Sequence, residues 1–406
     1  MSPPSRPWIA YVGPFHYPDG GAAARRVLGM AESLDLAGFN VVIASGAGDV
    51  ADAAPEMIAH GPGISHCLLG ERVAEHWPRP LRRFRYAWMG GRTVQWLASR
   101  PIPPAAVVLY SGYTPYLQRL LPWCRTSGIP LLFDAVEWYE PEHPWQYLTS
   151  PYQWNIEWAM RRLIPKTEGV IAISRYLADY YLGRNMPVAV VPPTTSLIAP
   201  GEWQPGSRLR LCYAGTPGYK DDLATVLRAV AMLAANGAPI HLTVAGPDRS
   251  LLQKMLGEHA SGDLSWLHPA GSLSHREVMQ LVGRSDFSVL ARRPCRMSQA
   301  GFPTKFVESF ASGTPVVANL TSDLHLHLRN GETGLLCAGH DVGSIMDALQ
   351  RALALDEASR RAMRAACIQH AHSVFAPAVH APALRDLIAT VGQAAERRGS
   401  NREHVR

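Results

Sequence analysis

Lys305 and Glu308 lie three residues apart in the stretch Phe302–Ala318, FPTKFVESFASGTPVVA. On a helix that spacing brings two side chains to one face. The ammonium suits a phosphate, and the carboxylate is an acceptor for sugar hydroxyls. Together they fit a nucleotide-sugar site better than a hydride-transfer or protease site. The loop YAGTPGYKDD carries a second lysine. Gly215 and Gly218 leave the backbone bare beside Lys220, which is expected at the start of a helix running from Lys220 to Ala235. A cation there opposes the helix dipole, which prefers an anion at its N-terminus. A residue set against local preference points to function; the plainer alternative is a solvated surface lysine. The loop GPFHYPDGGAAARR, from Gly13 to Arg26, leaves a strand and enters a helix. Gly20 and Gly21 stand at that helix start, where unpaired N–H groups favour an anion. Taken alone, an ordinary strand-to-helix turn explains them better, and the spacing is not the G-x-G-x-x-G of dinucleotide-binding proteins.

The segment Asp134–Pro144 gathers Asp134, Glu137, Glu140, Glu142 and His143 around Trp138 and Tyr139. It follows a strand, at a carboxyl end where ligand-contacting loops gather. Carboxylates beside aromatic rings hold sugars, with hydroxyls on the oxygens and C–H faces on the rings. Glu137 is the candidate sugar contact. The rivals are a glycosidase carboxylate pair, a hard-cation loop, whose ordered spacing is lacking, and a capped loop over the sheet. Between His76 and Trp96, Arg79, Arg82, Arg83, Arg85 and Arg92 interleave with Trp77, Phe84, Tyr86, Trp88 and Trp96. Such a stretch suits a peripheral membrane contact or single-stranded nucleic acid. A helix with aromatics inward and arginines outward accounts for it slightly better. No nucleophile elbow, P-loop or H-E-x-x-H is present, and the histidines lack ligand spacing, so zinc is not expected.

The elements that must position these residues alternate between strand and helix. PWIAYVG, FNVVIAS, AAVVLYS, IPLLFDA, GVIAIS and PVAVVP read as buried strands in the first half. LRLCYAG, IHLTVAG, LSWLHPAG, DFSVLA and TPVVA repeat the theme in the second. Short β-branched runs between amphipathic helices indicate parallel sheets covered on both faces. At 406 residues and 47% apolar, the chain has core material for two domains. The Pro- and Gly-rich stretch 193–207 reads as a linker between domains at 1–192 and 208–376. A helix over 377–396 is expected to cross back to the first domain, and 397–406 to be a disordered tail. The net charge of +6 suits anionic ligands but is too small and too evenly spread to argue for nucleic acid. Six cysteines without a C-x-x-C pair read as buried reduced thiols of a cytoplasmic protein. The N-terminus lacks an apolar h-region, so no signal peptide is expected. No run approaches the ~18 apolar residues that span a bilayer.

Pro303, Lys305, Glu308, Ala311, Gly313, Pro315, Val316 and Val317 fit the pattern P-x-K-x-x-E-x-x-A-x-G-x-P-V-V. In this the chain resembles the bacterial family 4 glycosyltransferases. The resemblance implies a GT-B fold, two Rossmann-like doubly wound domains facing across a cleft. It implies retaining transfer from a nucleoside diphosphate sugar, with no cofactor and no essential metal. It carries the diphosphate-binding role to Lys220 and Lys305, and the ribose-binding role to Glu308. Gly20, Gly21, Gly215, Thr216, Gly301 and Thr304 become donor-binding positions; Thr216 stands near a place where the family often has Arg. Glu137 and Trp138, in a stretch resembling a D-x-x-E-W-Y motif, become acceptor or sugar contacts. Ala300 occupies the position of the first glutamate of the family's Glu-x(7)-Glu motif, which contacts the donor sugar. Either a backbone amide around Gln299 to Pro303 substitutes, or the chain belongs to a branch that recognises its sugar differently, which leaves the donor sugar open. The implied partner is a glycan or lipid-linked acceptor of cell-surface polysaccharide synthesis, which moves the 76–96 stretch toward membrane contact at the inner face; nucleic acid is not expected. A non-catalytic scaffold, motivated by Ala300, and a GT-B sugar-nucleotide epimerase are the alternatives.

Overall fold

The computed structural model describes residues 6–19, 21–46, 55–71, 78, 86–196 and 203–403, with the side chains of 398–403 left aside. The chain divides into two compact units. One comprises residues up to Thr194 together with the segment from Pro377; the other runs from Thr195 to Ala376.

The first unit is an eight-stranded sheet, ordered β3-β4-β2-β1-β5-β6-β7-β8. Its strands are β1 (Trp8–Gly13), β2 (Asn40–Ser45), β3 (Ile58–Gly61), β4 (Ile64–Leu68), β5 (Ala106–Tyr110), β6 (Leu131–Ala135), β7 (Gly169–Ala172) and β8 (Val188–Val190). All neighbouring pairs are parallel except β3 with β4. The β3–β4 hairpin has no counterpart in the strands read from the sequence. β3 is exposed along its whole length, so no apolar alternation marks it. Helix α1 (Gly21–Leu36) buries Val27, Met30 and Leu34 against β1 and β2.

The helix Pro377–Glu403 supplies Leu384, Leu387, Ile388 and Val391 to this same core. That spacing is one helical face. Arg385 Nε donates to the carbonyl of Ala37 at 2.8 Å, tying the helix to the end of α1. Residues 397–403, expected in a disordered tail, continue this helix. The run QAAE before them, residues 393–396, is made of good helix formers, which carries the element past the last buried residue.

The second unit is a wholly parallel six-stranded sheet, ordered β11-β10-β9-β12-β13-β14. Its strands are β9 (Leu209–Ala214), β10 (Ile240–Ala245), β11 (Leu267–Gly271), β12 (Phe287–Leu290), β13 (Val316–Ala318) and β14 (Gly334–Leu336). The order reverses between β9 and β12, the kind of point at which open α/β sheets bind ligands. Part of the expected linker is built into this unit. Trp203 Nε1 donates to Asp286 at 2.7 Å, and the indole lies between Arg361 and Arg364. The first unit accordingly ends at Thr194 rather than residue 192.

Beneath the carboxyl ends of the first sheet sits a buried ion pair. Arg26 of α1 meets Asp134 of β6 at 2.8 Å, both side chains being almost fully enclosed. The guanidinium also donates to the carbonyls of Val191 and Pro192 at 2.7 and 2.8 Å, and Tyr11 donates its phenol to Asp134. Burial and the Asp134 charge together push the Tyr11 phenol well above its usual range. Asp134 is therefore a structural group and not part of a sugar-binding cluster. Removing it would strand a buried cation. Asp134→Ala should destabilise the protein by about 3–5 kcal/mol in urea unfolding, whereas a loss below about 1 kcal/mol would mean that the pair is not holding strands and helix together.

Candidate active site

Lys305 lies in the first turn of the helix Thr304–Ala311, whose inner side is set by the buried Phe306 and Phe310. Pro303 precedes the helix, and no side chain caps its first turn. Lys305 Nζ donates to Asp221 Oδ2 at 2.8 Å and to the Tyr213 phenol at 2.8 Å, and lies 4.1 Å from the Tyr213 ring centre. The other oxygen of Asp221 is 3.4 Å from Nε of Arg292. Arg292, at the end of β12, is nearly inaccessible to solvent. Its Nη1 reaches the Ser298 carbonyl and the Thr321 hydroxyl, and its backbone N–H is held by Asn319.

One carboxylate thus sits among cations. Burial pushes the Asp221 carboxyl upward, but Lys305 first, then Arg292 and Lys220, pull it below the usual carboxylate range. For Lys305, burial lowers the ammonium's pKa, Asp221 restores part of it, and Arg292 and Lys220 lower it further. Three positive groups surrounding one negative group make a site with an excess of positive potential, at a strand end, suited to an anion with several charges.

The glycines that allow this arrangement are specific. Gly215 follows β9 with φ +126°, and a Cβ there would lie 2.7 Å from Cε of Lys305. Gly246 follows β10 with φ +114°, and its Cβ would fall 2.6 Å from the carbonyl oxygen of Gly215. A side chain at either position would displace the lysine or the loop that carries it.

Lys220 departs from its expected place. The helix begins at Leu223, not at residue 220, and Asp222 caps it by accepting from the Thr225 N–H. Lys220 stands in the turn before the cap, so the opposition between cation and helix dipole does not arise; its charge still acts on Asp221 and Lys305. Thr216 is exposed on the same loop. Glu308 is buried one turn on from Lys305, Thr304 is partly exposed at the helix start, and Gly301 is buried in the connection before it. Ala300 is completely enclosed, so a carboxylate at that position would enter a packed interior.

In the first unit, Gly21 opens α1 with φ +61° and open space where a Cβ would stand, while Gly20 lies outside the described residues. Trp138 is not a platform for a sugar. Its indole is buried, donates to Glu157 at 3.1 Å, packs on Tyr180 and lies under Arg161. Glu137 is partly exposed and bonds the Tyr139 phenol, which burial first and Glu137 second push far upward. Its charge also raises Tyr113, Tyr110 and Tyr152, all three shifted mainly by burial, with Asp134 ahead of it at Tyr110 and Tyr86 ahead of it at Tyr152. Before this group the chain turns through three left-handed residues, Ser111, Gly112 and Tyr113, with φ of +59°, +73° and +37°. A carboxylate among phenols, one of them carried by a left-handed residue, Tyr113, is equipped to hold hydroxyl groups.

Of the stretch 76–96, residues 76, 77 and 79–85 lie outside the described residues. Trp96 is buried against Trp8, Arg92 reaches the carbonyls of Leu69 and Gly70, and Trp88 is exposed. Among the described residues no group of three or more His, Cys, Asp and Glu side chains could hold a metal ion.

Two family models match the chain. A "Glycosyl transferase 4-like domain" covers residues 21–194, and "Glycosyl transferases group 1" covers residues 208–355, one in each unit. The chain belongs to the family 4 glycosyltransferases of GT-B fold. The D-inositol 3-phosphate glycosyltransferase of Mycobacterium bovis is 35% identical over 153 residues, 36% of this chain and 30% of that protein. The glycogen synthase of Mycobacterium tuberculosis is 30% identical over 158 residues, 38% of this chain and 36% of that protein. The chain thus spans about a third of the length of these curated relatives. In fold it resembles the sucrose-phosphate synthase of Thermosynechococcus elongatus, with a TM-score of 0.70 at 18% identity, over 97% of this chain and 100% of that one.

Two groups of this charge cluster escape a reading of the sequence, Asp221 and Arg292. Each carries a faint signal. Asp221 follows Lys220 directly, and Arg292 is a charge at the end of an apolar strand in SVLARRP. Their partnership with Lys305 is made only by the sheet. The glycine requirement is open to test. Gly215→Ala should cost about 1–3 kcal/mol of stability, and Gly218→Ala, with no atom within 4 Å of its Cβ, should stay within about 0.5 kcal/mol. Equal effects in thermal unfolding would contradict the packing of Lys305 over Gly215.

Proposed function

We propose that the enzyme moves a sugar, with retention of configuration, from a nucleoside diphosphate sugar to a glycan or lipid-linked acceptor of a cell-surface polysaccharide. The observation that carries this reading is the cluster of Lys305, Arg292 and Lys220 around Asp221. Breaking the bond between sugar and diphosphate leaves negative charge on the leaving phosphate oxygen. Fixed cations at that point stabilise charge as it develops and need no reorganisation. Asp221 holds the Lys305 ammonium in place beforehand, and the first-turn amides of the helix Thr304–Ala311 add donors at its positive end. Glu308 takes the ribose hydroxyls. Thr216, Gly215, Gly301 and Thr304 border the diphosphate, and Gly20 and Gly21 keep the donor-binding role that the family resemblance implies. Glu137, with its phenols, binds sugar hydroxyls of donor or acceptor. The acceptor hydroxyl gives its proton to an oxygen of the departing diphosphate, so no protein base and no metal enters the step. The acceptor chemistry places the enzyme at the cytoplasmic face of a membrane, with the 76–96 stretch as one contact.

The enclosed Ala300 favours one second reading, a subunit that binds the nucleotide without turnover. Transfer assays with UDP-, GDP- and dTDP-sugars separate the two, and an epimerase would convert its nucleotide sugar with no acceptor present. Each charge-assisted contact is worth about 1.5–3 kcal/mol. Lys305→Ala should therefore lower kcat/KM at least about 10-fold with the fold retained, and should cut the thermal stabilisation given by the cognate nucleoside diphosphate to that given by the monophosphate. Wild-type transfer in that variant would remove Lys305 from the reaction.

A further inference from the structure

The segment Trp145–Trp158, WQYLTSPYQWNIEW, contains a single charged residue, Glu157. It forms two short helices, Gln146–Thr149 and Pro151–Trp158. Trp154 Nε1 bonds the Tyr147 carbonyl at 2.7 Å and closes one helix on the other. Trp145, Leu148, Tyr152, Trp154 and Trp158 are each between 52% and 78% exposed. So many large apolar side chains on one short segment call for a partner.

The periodicity divides the second helix cleanly. Gln153, Ile156, Ala159, Met160 and Leu163 are buried, while Trp154, Trp158, Arg161 and Arg162 stand outward on the opposite stripe. Arg162 and, beyond it, Lys166 are exposed cations directly following the aromatic run. The nearest acidic residues upstream are Glu140 and Glu142.

A bound glycan would need hydrogen-bonding groups beside the rings. Here the segment's one carboxylate, Glu157, is turned inward, accepting from Trp138, Gln153 and Arg161 at 3.1, 3.2 and 2.6 Å, and the Trp154 indole is spent on the Tyr147 carbonyl. The most exposed side chain of the set is Leu148, an aliphatic group with no ring to offer a sugar face. Indoles and a leucine bordered by cations match instead the boundary between anionic headgroups and acyl chains. Among the described residues no helix is long and apolar enough to cross a membrane.

We infer that Trp145–Trp158 is an interfacial anchor, lying on an anionic lipid surface with Leu148, Trp154 and Trp158 in the acyl boundary and Arg162 and Lys166 on the phosphates. The anchoring uses no donor chemistry, so its failure would leave the transfer reading untouched, and failure of transfer would leave the anchor.

The test is flotation of the full chain with vesicles of equal parts phosphatidylcholine and phosphatidylglycerol, against vesicles of phosphatidylcholine alone. The wild type should float with the anionic vesicles and its tryptophan emission should move to shorter wavelength. Leu148→Ser combined with Trp158→Ser should reduce partitioning by roughly tenfold or more, with unchanged thermal unfolding. Arg162→Glu should weaken binding on anionic vesicles and leave the weak binding to neutral ones as it was. A wild type that stays in the soluble fraction overturns the inference. So does a double variant that floats like the wild type, or a patch whose mutation instead alters self-association or oligosaccharide binding.

Discussion

An ammonium that is largely removed from water must be compensated, and Asp221 is what compensates Lys305. That one pairing constrains much of the second unit. Asp221 must arrive between β9 and the helix it precedes, Arg292 must approach it from the end of β12, and Gly215 and Gly246 must stay bare for the lysine to pass. The helix Thr304–Ala311 is held by Phe306 and Phe310, which pack with Phe302 and Phe375. The cluster is thus fixed before any ligand is bound, the condition under which fixed charge lowers a barrier most.

The first unit uses the same device for a different end. Arg26 and Asp134 are paired in the core, with the Tyr11 phenol donating to the carboxylate and the guanidinium donating to the carbonyls of Val191 and Pro192. Here no group is left facing a ligand; the pair fixes α1, β1 and β6 and the chain after Val191. The segment following β6 then carries Glu137 outward among phenols while Trp138 turns inward onto Glu157 and Tyr180. Adjacent residues divide between function and support, as alternation along an extended chain dictates.

Much of the site was legible because Lys305 and Glu308 interrupt an apolar run at helical spacing, and because β9, β10 and β12 are short, largely apolar stretches with clear ends. What was not legible depended on contacts distant in sequence. Asp221 and Arg292 belong together only because β9 and β12 are neighbours in the sheet. Trp138 beside Glu137 has the composition of a sugar platform, and only the arrival of Glu157, Tyr180 and Arg161 takes it out of contact. The helix starts after Lys220 because Asp222, three residues before Thr225, supplies the N-cap, while Asp221 beside it is taken up by Lys305 and Arg292. The β3–β4 hairpin escaped because an exposed edge strand need not carry an apolar face.

On the proposed reading Lys305, steadied by Asp221, holds the second phosphate of the donor. Calorimetry with the cognate nucleoside mono- and diphosphates, on the wild type and Lys305→Met, tests it directly. The wild type should bind the diphosphate about 10- to 100-fold more tightly than the monophosphate. In Lys305→Met that advantage should collapse toward unity while monophosphate affinity is kept. An undiminished preference for the diphosphate in the variant would contradict the account.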